Sequence, residues 1–221
     1  GFAEPRVEMM PDAANIKPLT ALRFFAAFWV VMYHYWPNLS AAVPPAMIGK
    51  GYLGVEAFFT LSGFILCHVY LQGVGTGTFR YGDFLWNRLA RVYPLHLVTL
   101  AGVGLMAAAA GLAGIAVDQN MLAWSALPAN LLLVQAWGFA PVSGWNHPSW
   151  SISAEWFAYL SFPVFAFAAW RLRARPRLAV GLALALIAAL YPVFQALAGF
   201  PLTEATIRWG FLRIVSCFAY G

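Results

Sequence analysis

The chain has 221 residues, of which 62% are hydrophobic and only 10% charged, and its formal net charge is +5. A typical soluble domain carries about 25% charged and about 45–50% apolar residues, so this composition excludes a soluble globular fold. The positive charge does not indicate a nucleic-acid-binding protein, because the basic residues lie between apolar runs, where Lys and Arg set the orientation of membrane helices.

Apolar runs follow one another from about residue 18 to the end of the chain. They lie at about 18–36, 52–71, 93–116, 121–138, 150–170, 178–199 and 205–221. A helix of about 20 apolar residues spans the hydrocarbon core, and continuous rather than alternating runs favour helices over a barrel. The sequence therefore predicts an all-α, polytopic transmembrane bundle of about 6–7 apolar helices.

The domain boundaries follow from the same pattern. Residues 1–17 are polar and mixed in charge, and residues 18–221 form the predicted transmembrane domain. Because the chain ends inside an apolar run, we expect this domain to be truncated at its C-terminus. The two cysteines, Cys67 and Cys217, lie in apolar segments and indicate neither a disulfide framework nor a metal site.

Two arginine clusters predict the orientation of the bundle. One precedes the third run, and the other, residues 171–177, follows the fifth. The positive-inside rule places both in the cytoplasm, which requires that one of the runs between them does not cross. The run 121–138 is short and interrupted by Pro128 and polar residues, so we interpret it as re-entrant or interfacial. The alternative is a true crossing, with the second cluster outside.

The first run carries Arg23 and His34. The eleven residues between them make almost three helical turns, so both side chains face one way, about 16 Å apart along the axis. Ionisable residues inside apolar runs are functional by default, and an imidazole, which titrates near neutral pH, can deprotonate a hydroxyl. The alternative is that Arg23 snorkels to the interface and His34 is an interfacial hydrogen-bonding residue.

The second run carries Glu56, followed by the pair Ser62 and Gly63. A glutamate this deep in an apolar run needs a partner, and the small pair allows a ligand or a neighbouring helix to approach closely. The alternative to a catalytic role is that the small pair allows close helix packing and Glu56 forms an ion pair with an arginine.

The start of the third run carries Arg88 and Arg91, which share a helix face at i, i+3 spacing, with Pro94 shortly after them. Two guanidinium groups at the cytoplasmic mouth can hold phosphate groups with bidentate hydrogen bonds. The alternative is that they anchor lipid head groups.

The fifth run opens with His147, Trp150 and Ser151 and continues to Glu155. Ser151 and Glu155 are four residues apart and lie on one helix face, where a second membrane carboxylate could orient a histidine or bind a hydroxyl-rich ligand. The alternative is a helix start capped by Ser149 with an aromatic interfacial anchor.

Four motifs in this order resemble the acyltransferase 3 family of bacterial membrane enzymes, which includes O-antigen O-acetyltransferases. They are Arg23 with His34, the segment 54–64 around Glu56, Arg88 and Arg91 followed by Pro94, and the segment 150–155 ending in Glu155. The resemblance implies transfer of an acyl group, often acetyl from acetyl-CoA, to a hydroxyl of a sugar or glycoside, with His34 as the catalytic residue. Family members usually have about ten membrane helices, so the resemblance also implies that the last third is absent from this chain.

We therefore expect a site of three groups. The catalytic group is His34, Arg23, Glu56 and Glu155; the acyl-CoA-binding group is Arg88, Arg91, Ser62 and Gly63; the acceptor-binding group is Trp150, Ser151, Ser153 and His147. His34 is expected to act as general base, with a glutamate orienting its ring and no metal involved. The expected location is the bacterial cytoplasmic membrane, with lipids and a saccharide acceptor as partners and no nucleic acid.

Two other classes of function compete with an enzyme. A polytopic transporter could use the buried ionisable residues as an ion or proton relay, and a structural membrane subunit would need no such residues. The sequence contains no inverted repeat. Its arginine pair suits a phosphate-binding site for the acyl donor, and its histidine suits a general base. Both points favour the acyltransferase.

Overall fold

The computed structural model describes residues 17–221, so the predicted polar tail lies outside it except for Lys17. The described part contains eight α-helices and no strand, which confirms the all-α prediction there. The helices are α1 (Lys17–Leu39), α2 (Ala46–Gly49), α3 (Gly54–Thr76), α4 (Tyr81–Leu112), α5 (Leu127–Leu131), α6 (Trp150–Leu172), α7 (Pro176–Ala198) and α8 (Gly210–Tyr220).

Four helical segments of the described chain are long and apolar enough to cross a membrane. They are Gly51–Thr76, Tyr81–Leu112, His147–Leu172 and Pro176–Ala198. Helix α1 is also 23 residues long, but Arg23, His34 and several Tyr and Trp residues lower its hydropathy. Helix α8 has only 11 residues. Four segments therefore meet both criteria, fewer than the six or seven apolar helices predicted.

The segment 121–138 contains only short helical turns, around α5, and no continuous helix of crossing length. Leu133 and Gly138 both have positive φ angles, of 57° and 89°, which interrupt any longer helix. The structure thus favours the re-entrant or interfacial interpretation. If α4 and α6 are the two crossings in this region, both arginine clusters lie on one side, as the positive-inside rule requires.

The centre of the bundle is formed by α3, α6 and α8. Ala154, Ala158 and Ala166 on α6 are at most 1% exposed, and such small residues let membrane helices approach closely. Gly63 on α3 packs directly against the backbone of Phe218 on α8. This close packing is what positions the side chains of α3 and α6 relative to each other.

Glycine contacts show the directions of the helices around this centre. Gly51, just before α3, packs against Tyr33 of α1, and Gly54, at the start of α3, packs against Ala26, so α1 and α3 run antiparallel. Near the other end of α3, Gly75 packs against the Trp170 indole of α6. Because the arginine clusters follow directly after these two ends, both clusters lie at the same end of the bundle.

Candidate active site

A cleft of about 410 Å³ lies between α1, α3 and the start of α6. Several residues predicted from the sequence line it, namely Arg23, His34, Ser62, His147, Trp150, Ser151 and Glu155. The rest of the wall is mainly apolar and includes Val30, Phe58 and Phe59. A mostly apolar cavity with a few convergent polar groups is the usual form of a small-molecule site.

Arg23 and His34 both face this cleft, as their spacing of eleven residues predicts. The Nδ1 atom of His34 lies 2.9 Å from the carbonyl oxygen of Val30, one turn earlier in α1. A carbonyl can only accept a hydrogen bond, so this contact assigns the proton of a neutral ring to Nδ1 and leaves the Nε2 lone pair free. The expectation that a glutamate orients the ring is therefore corrected, because a backbone carbonyl makes that hydrogen bond.

Glu155 of α6 lines the cleft, and a hydrogen bond from a residue of α3 holds its carboxylate in place. The Ser62 hydroxyl, which is buried, donates a hydrogen bond of 2.7 Å to Oε1 of Glu155. This bond joins residues 93 positions apart in the chain. It fixes the carboxylate at the cleft, and Ser62 is thus a partner of Glu155 as well as part of the predicted donor-binding group.

His147 and Ser151 line the cleft at the start of α6. The Nδ1 atom of His147 is paired with the hydroxyl of Ser143, and the hydroxyl of Ser151 donates to the carbonyl oxygen of Pro148 at 3.1 Å. The cleft thus contains a second imidazole besides His34, held in orientation by a side-chain hydroxyl.

Trp150 forms an aromatic wall of the cleft and is only 7% exposed. Its ring lies edge-to-face against Phe59, with centroids 6.1 Å apart. Behind it, the Arg213 guanidinium lies 4.8 Å from the ring centroid. Trp150 is therefore held between α3 and α8.

Glu56 lies outside the lining of the cleft and forms a buried ion pair with Arg213 of α8. Nε of Arg213 donates to Oε1 of Glu56 at 2.7 Å, and Nη2 lies 2.7 Å from the same oxygen. The side chains are 3% and 14% exposed for Arg213 and Glu56, and Nη1 donates to the carbonyl oxygen of Ala205. This placement removes Glu56 from the candidate active site and agrees with the alternative in which it pairs with an arginine.

Sequence reasoning did not single out Arg213, although it lies inside the apolar run 205–221. A charged residue in such a run was the signal used for Glu56 itself. Two opposite charges inside apolar runs could have been proposed as partners, but the sequence does not show which arginine the glutamate meets.

Gly63 and Ser153 also lie away from the cleft. Gly63 packs against Phe218. Ser153 is fully buried; its hydroxyl donates to the carbonyl oxygen of Leu133 at 2.8 Å and accepts from the amide of Ala136 at 3.0 Å. These two predicted site residues make packing and loop contacts instead.

Arg88 and Arg91 are not part of the cleft and lie towards the arginine-rich end of the bundle. Nη2 of Arg88 is 3.4 Å from the hydroxyl of Tyr70, and its buried Nε has no hydrogen-bond partner among residues 17–221. A second cavity, of about 430 Å³, is lined by Tyr70, Gln72 and Asn87 among others. Arg80 is in the lining of this cavity, and neither Arg88 nor Arg91 is.

In the part of the chain that the structure describes, no group of three or more His, Cys, Asp or Glu side chains is placed to hold a metal ion.

Comparisons with known proteins give two curated relatives. The chain is 37% identical over 169 residues to the Acyltransferase MdmB of Streptomyces mycarofaciens, an alignment that covers 71% of this chain and 41% of that protein. It is 48% identical over 52 residues to the Protein 2 in picA locus of Rhizobium radiobacter, covering 24% of this chain and 27% of that protein. The chain thus spans less than half the length of either relative.

No solved structure gives a significant match to the chain. The family model described as "Acyltransferase domain", that of the acyltransferase 3 family, matches residues 16–221. This match covers the cleft, both arginine clusters and all the helices described above. The chain therefore belongs to the acyltransferase 3 family.

Proposed function

We propose that this protein transfers an acyl group, acetyl in the simplest case, from acyl-CoA to a hydroxyl of a saccharide or glycoside acceptor at the bacterial cytoplasmic membrane. The observation that carries the proposal is the geometry of His34. Its Nδ1 hydrogen bond to Val30 leaves Nε2 free, in a cleft that also contains Glu155 and Arg23. Membership of the acyltransferase 3 family supports the same reaction.

In the proposed reaction, Nε2 of His34 removes the proton from the acceptor hydroxyl. The oxygen attacks the thioester carbonyl of the donor, and the tetrahedral intermediate collapses as the carbon–sulfur bond breaks. The departing thiolate takes the proton from the imidazolium, which restores the neutral ring. General-base assistance of this kind contributes about 10²–10⁴-fold to a rate.

Glu155 is proposed to favour the imidazolium that forms during the reaction. A carboxylate in the same cleft stabilises a positive charge electrostatically, and more strongly away from bulk water. The hydrogen bond from Ser62 holds that carboxylate in place without neutralising it. Arg23 is proposed to line the path of the donor, nearer the cytoplasmic end.

Arg88 and Arg91 are proposed to hold the phosphate groups of acyl-CoA. Their i, i+3 spacing on one helix face, which suits bidentate contacts with phosphate, supports this role. Tyr70, which contacts Arg88, follows Ser62 by eight residues on α3, a distance of about 12 Å along the helix. The extended arm of acyl-CoA would run between these two positions.

The first test replaces His34 by Ala and by Gln in the purified protein and follows radiolabel from acyl-CoA into an acceptor. We expect both variants to lose detectable transfer, because neither can take up a proton at neutral pH, while acyl-CoA binding is retained. His68→Gln is a matched control, since His68 lies outside the lining of the cleft. Near-native transfer by His34→Gln would contradict the proposed base, and acceptor flux without covalent change would support the transporter instead.

The second test measures acyl-CoA affinity by calorimetry in Arg88→Ala and Arg91→Ala. A hydrogen bond to a charged group is worth about 1.5–3 kcal/mol, so the affinity should fall tenfold or more. The lysine variants should recover part of the loss, because an ammonium lacks the bidentate fork. Arg177→Ala, in the other arginine cluster, is the control. Unchanged affinity in both Ala variants would assign the pair to lipid head groups.

A further inference from the structure

A fully buried histidine, His96, lies midway along α4 and outside the lining of the cleft. A substrate in the cleft therefore does not reach its ring. Its Nε2 atom lies 2.8 Å from the backbone carbonyl oxygen of Asn130. Because a carbonyl only accepts hydrogen bonds, Nε2 carries the proton and donates it to this bond. His96 thus differs from His34, whose Nε2 is free in the cleft.

The hydrogen bond from His96 holds the end of α5. Asn130 and Leu131 are the last two residues of that helix, and the carbonyl groups at a helix end lack partners within the helix. Tyr93, one turn before His96 on the same face of α4, donates from its hydroxyl to the carbonyl oxygen of Leu131 at 2.9 Å. Two adjacent side chains of α4 therefore bind two successive carbonyl groups of α5.

The turn that follows α5 has a strained backbone. Leu133 has a φ angle of 57°, in the left-handed region that residues with a side chain rarely occupy, and it is only 1% exposed. Such a conformation persists only where the surrounding structure enforces it. The donors from α4 act on the backbone immediately before this turn, so they are placed to maintain its shape.

The residues after the turn hold the first turn of α6. The side-chain amide of Gln135, which is 1% exposed, donates to the hydroxyl of Ser149 at 2.9 Å. The Trp137 indole donates to the carbonyl oxygen of Ser153 at 2.9 Å. Trp150, the aromatic wall of the cleft, lies between these two serines in the chain. The position of this wall thus depends on the segment that α4 holds.

We propose that His96 is a positioning residue for acyl transfer, because it holds the end of α5 and, through the residues that follow, the first turn of α6 at the cleft. The inference rests on the proposed function. Thr99, the next residue of the same α4 face, supports it, since its hydroxyl accepts from the side-chain amide of Asn146 at 3.0 Å. Asn146 directly precedes His147 of the cleft. The helix that carries the proposed donor-binding arginines therefore also sets the α6 side of the cleft.

The experiment replaces His96 by Gln, Asn and Ala in lipid nanodiscs and measures amide hydrogen exchange by mass spectrometry, acyl-CoA affinity and transfer of radiolabel. The amide nitrogen of Gln reaches as far as Nε2 of His, whereas that of Asn reaches less far. We expect the Ala and Asn variants to exchange about tenfold faster over residues 131–137, with α3 unchanged. Their kcat should fall about tenfold to 10²-fold, with unchanged acyl-CoA affinity. His96→Gln should remain near native in exchange and in kcat.

Further variants separate positioning from general stability. Tyr93→Phe removes a single donor to α5 and should raise the exchange of residues 131–137 by a smaller factor. His68→Ala, which changes an exposed histidine of α3, is the matched control and should behave as the native protein. Native exchange over 131–137 in both His96→Ala and His96→Asn would overturn the inference. An equal rise over α3 and α7, or native kcat despite faster exchange over 131–137, would also overturn it.

The two proposals fail in different ways. His34→Gln should lose transfer with native exchange over residues 131–137, whereas His96→Ala should change both. A native protein that transfers no acyl group would reject the proposed function, and the exchange measurement would still decide whether His96 holds this segment. Loss of transfer in His96→Gln as large as in His96→Ala would contradict a positioning role that depends on the Nε2 hydrogen bond.

Discussion

The two membrane carboxylates of this chain, Glu56 and Glu155, look alike in the sequence and differ in the structure. Glu56 faces a guanidinium, with Arg213 at 2.7 Å and Trp150 behind it. Glu155 faces the cleft and accepts a hydrogen bond from Ser62. In the described part of the chain, no cation lies within ion-pair distance of Glu155. Both glutamates lie in apolar helices, so depth does not distinguish them. The side chain with which each one pairs separates the carboxylate that holds helices together from the one that is available for catalysis.

The difference has a physical basis in the cost of burying charge. A buried carboxylate next to a guanidinium has its charge compensated in place. Arg213 takes Oε1 of Glu56, while the buried Oε2 has no hydrogen-bond partner among the described residues. Glu155, by contrast, accepts a hydrogen bond from the Ser62 hydroxyl and lies in the lining of the cleft. We therefore expect substitutions of Glu56 to affect mainly stability and substitutions of Glu155 to affect mainly the rate of transfer.

The largest effect is expected from breaking the ion pair with Arg213→Ala. The change leaves Glu56 as a buried, unpaired charge, which costs about 3–5 kcal/mol of folding stability. The loss can be measured as a shift in the unfolding transition in detergent. Arg208→Ala, at an exposed position of the same region, is the control. Replacing both partners by Leu should recover much of the stability, since no charge then remains unpaired. A double variant as unstable as Arg213→Ala would contradict the ion-pair account.

The next effect tests the carboxylate in the cleft with Glu155→Gln. Glutamine keeps an oxygen that can accept from Ser62 but removes the charge. We expect the rate of acyl transfer to fall on the order of 10²-fold, the size typical of a lost electrostatic stabiliser, while the unfolding transition hardly moves. Glu56→Gln is the matched comparison and should show the reverse, a loss of stability with the smaller effect on rate. Equal effects of the two substitutions on the rate would remove the distinction between the carboxylates.

The sequence was informative where the signal was local. Apolar runs predicted the helices, the period of 3.6 residues placed Arg23 and His34 on one wall, and Pro128 with its polar neighbours indicated that 121–138 does not cross. It was not informative about partners distant in the chain. Glu56 and Arg213 are 157 residues apart, and periodicity identifies a face of a helix without identifying the helix that covers it.

The orientation of His34 shows a second reason why some contacts of the site could not be predicted from the sequence. The sequence suggests a carboxylate as the partner of the ring, because a sequence displays side chains. The observed acceptor is the carbonyl oxygen of Val30, and every residue of the helix has such a carbonyl. Backbone groups of this kind carry no signal in the residue types, so only the structure could assign them.

The smallest effect is expected from Ser62→Ala, which asks whether Ser62 acts through Glu155. The change removes one hydrogen bond of 2.7 Å and leaves the carboxylate charged but less fixed, so we expect about a threefold to tenfold loss of transfer rate and about 1 kcal/mol of stability. Ser161→Ala on α6 is the control, since the Ser161 hydroxyl donates to the carbonyl oxygen of Phe157 within its own helix. The decisive measurement is the double variant with Glu155→Gln. Residues that act as one unit give non-additive effects, so the double variant should transfer acyl groups about as slowly as Glu155→Gln alone. If the two losses multiply instead, Ser62 contributes independently of Glu155, and its contact with the donor becomes the better explanation.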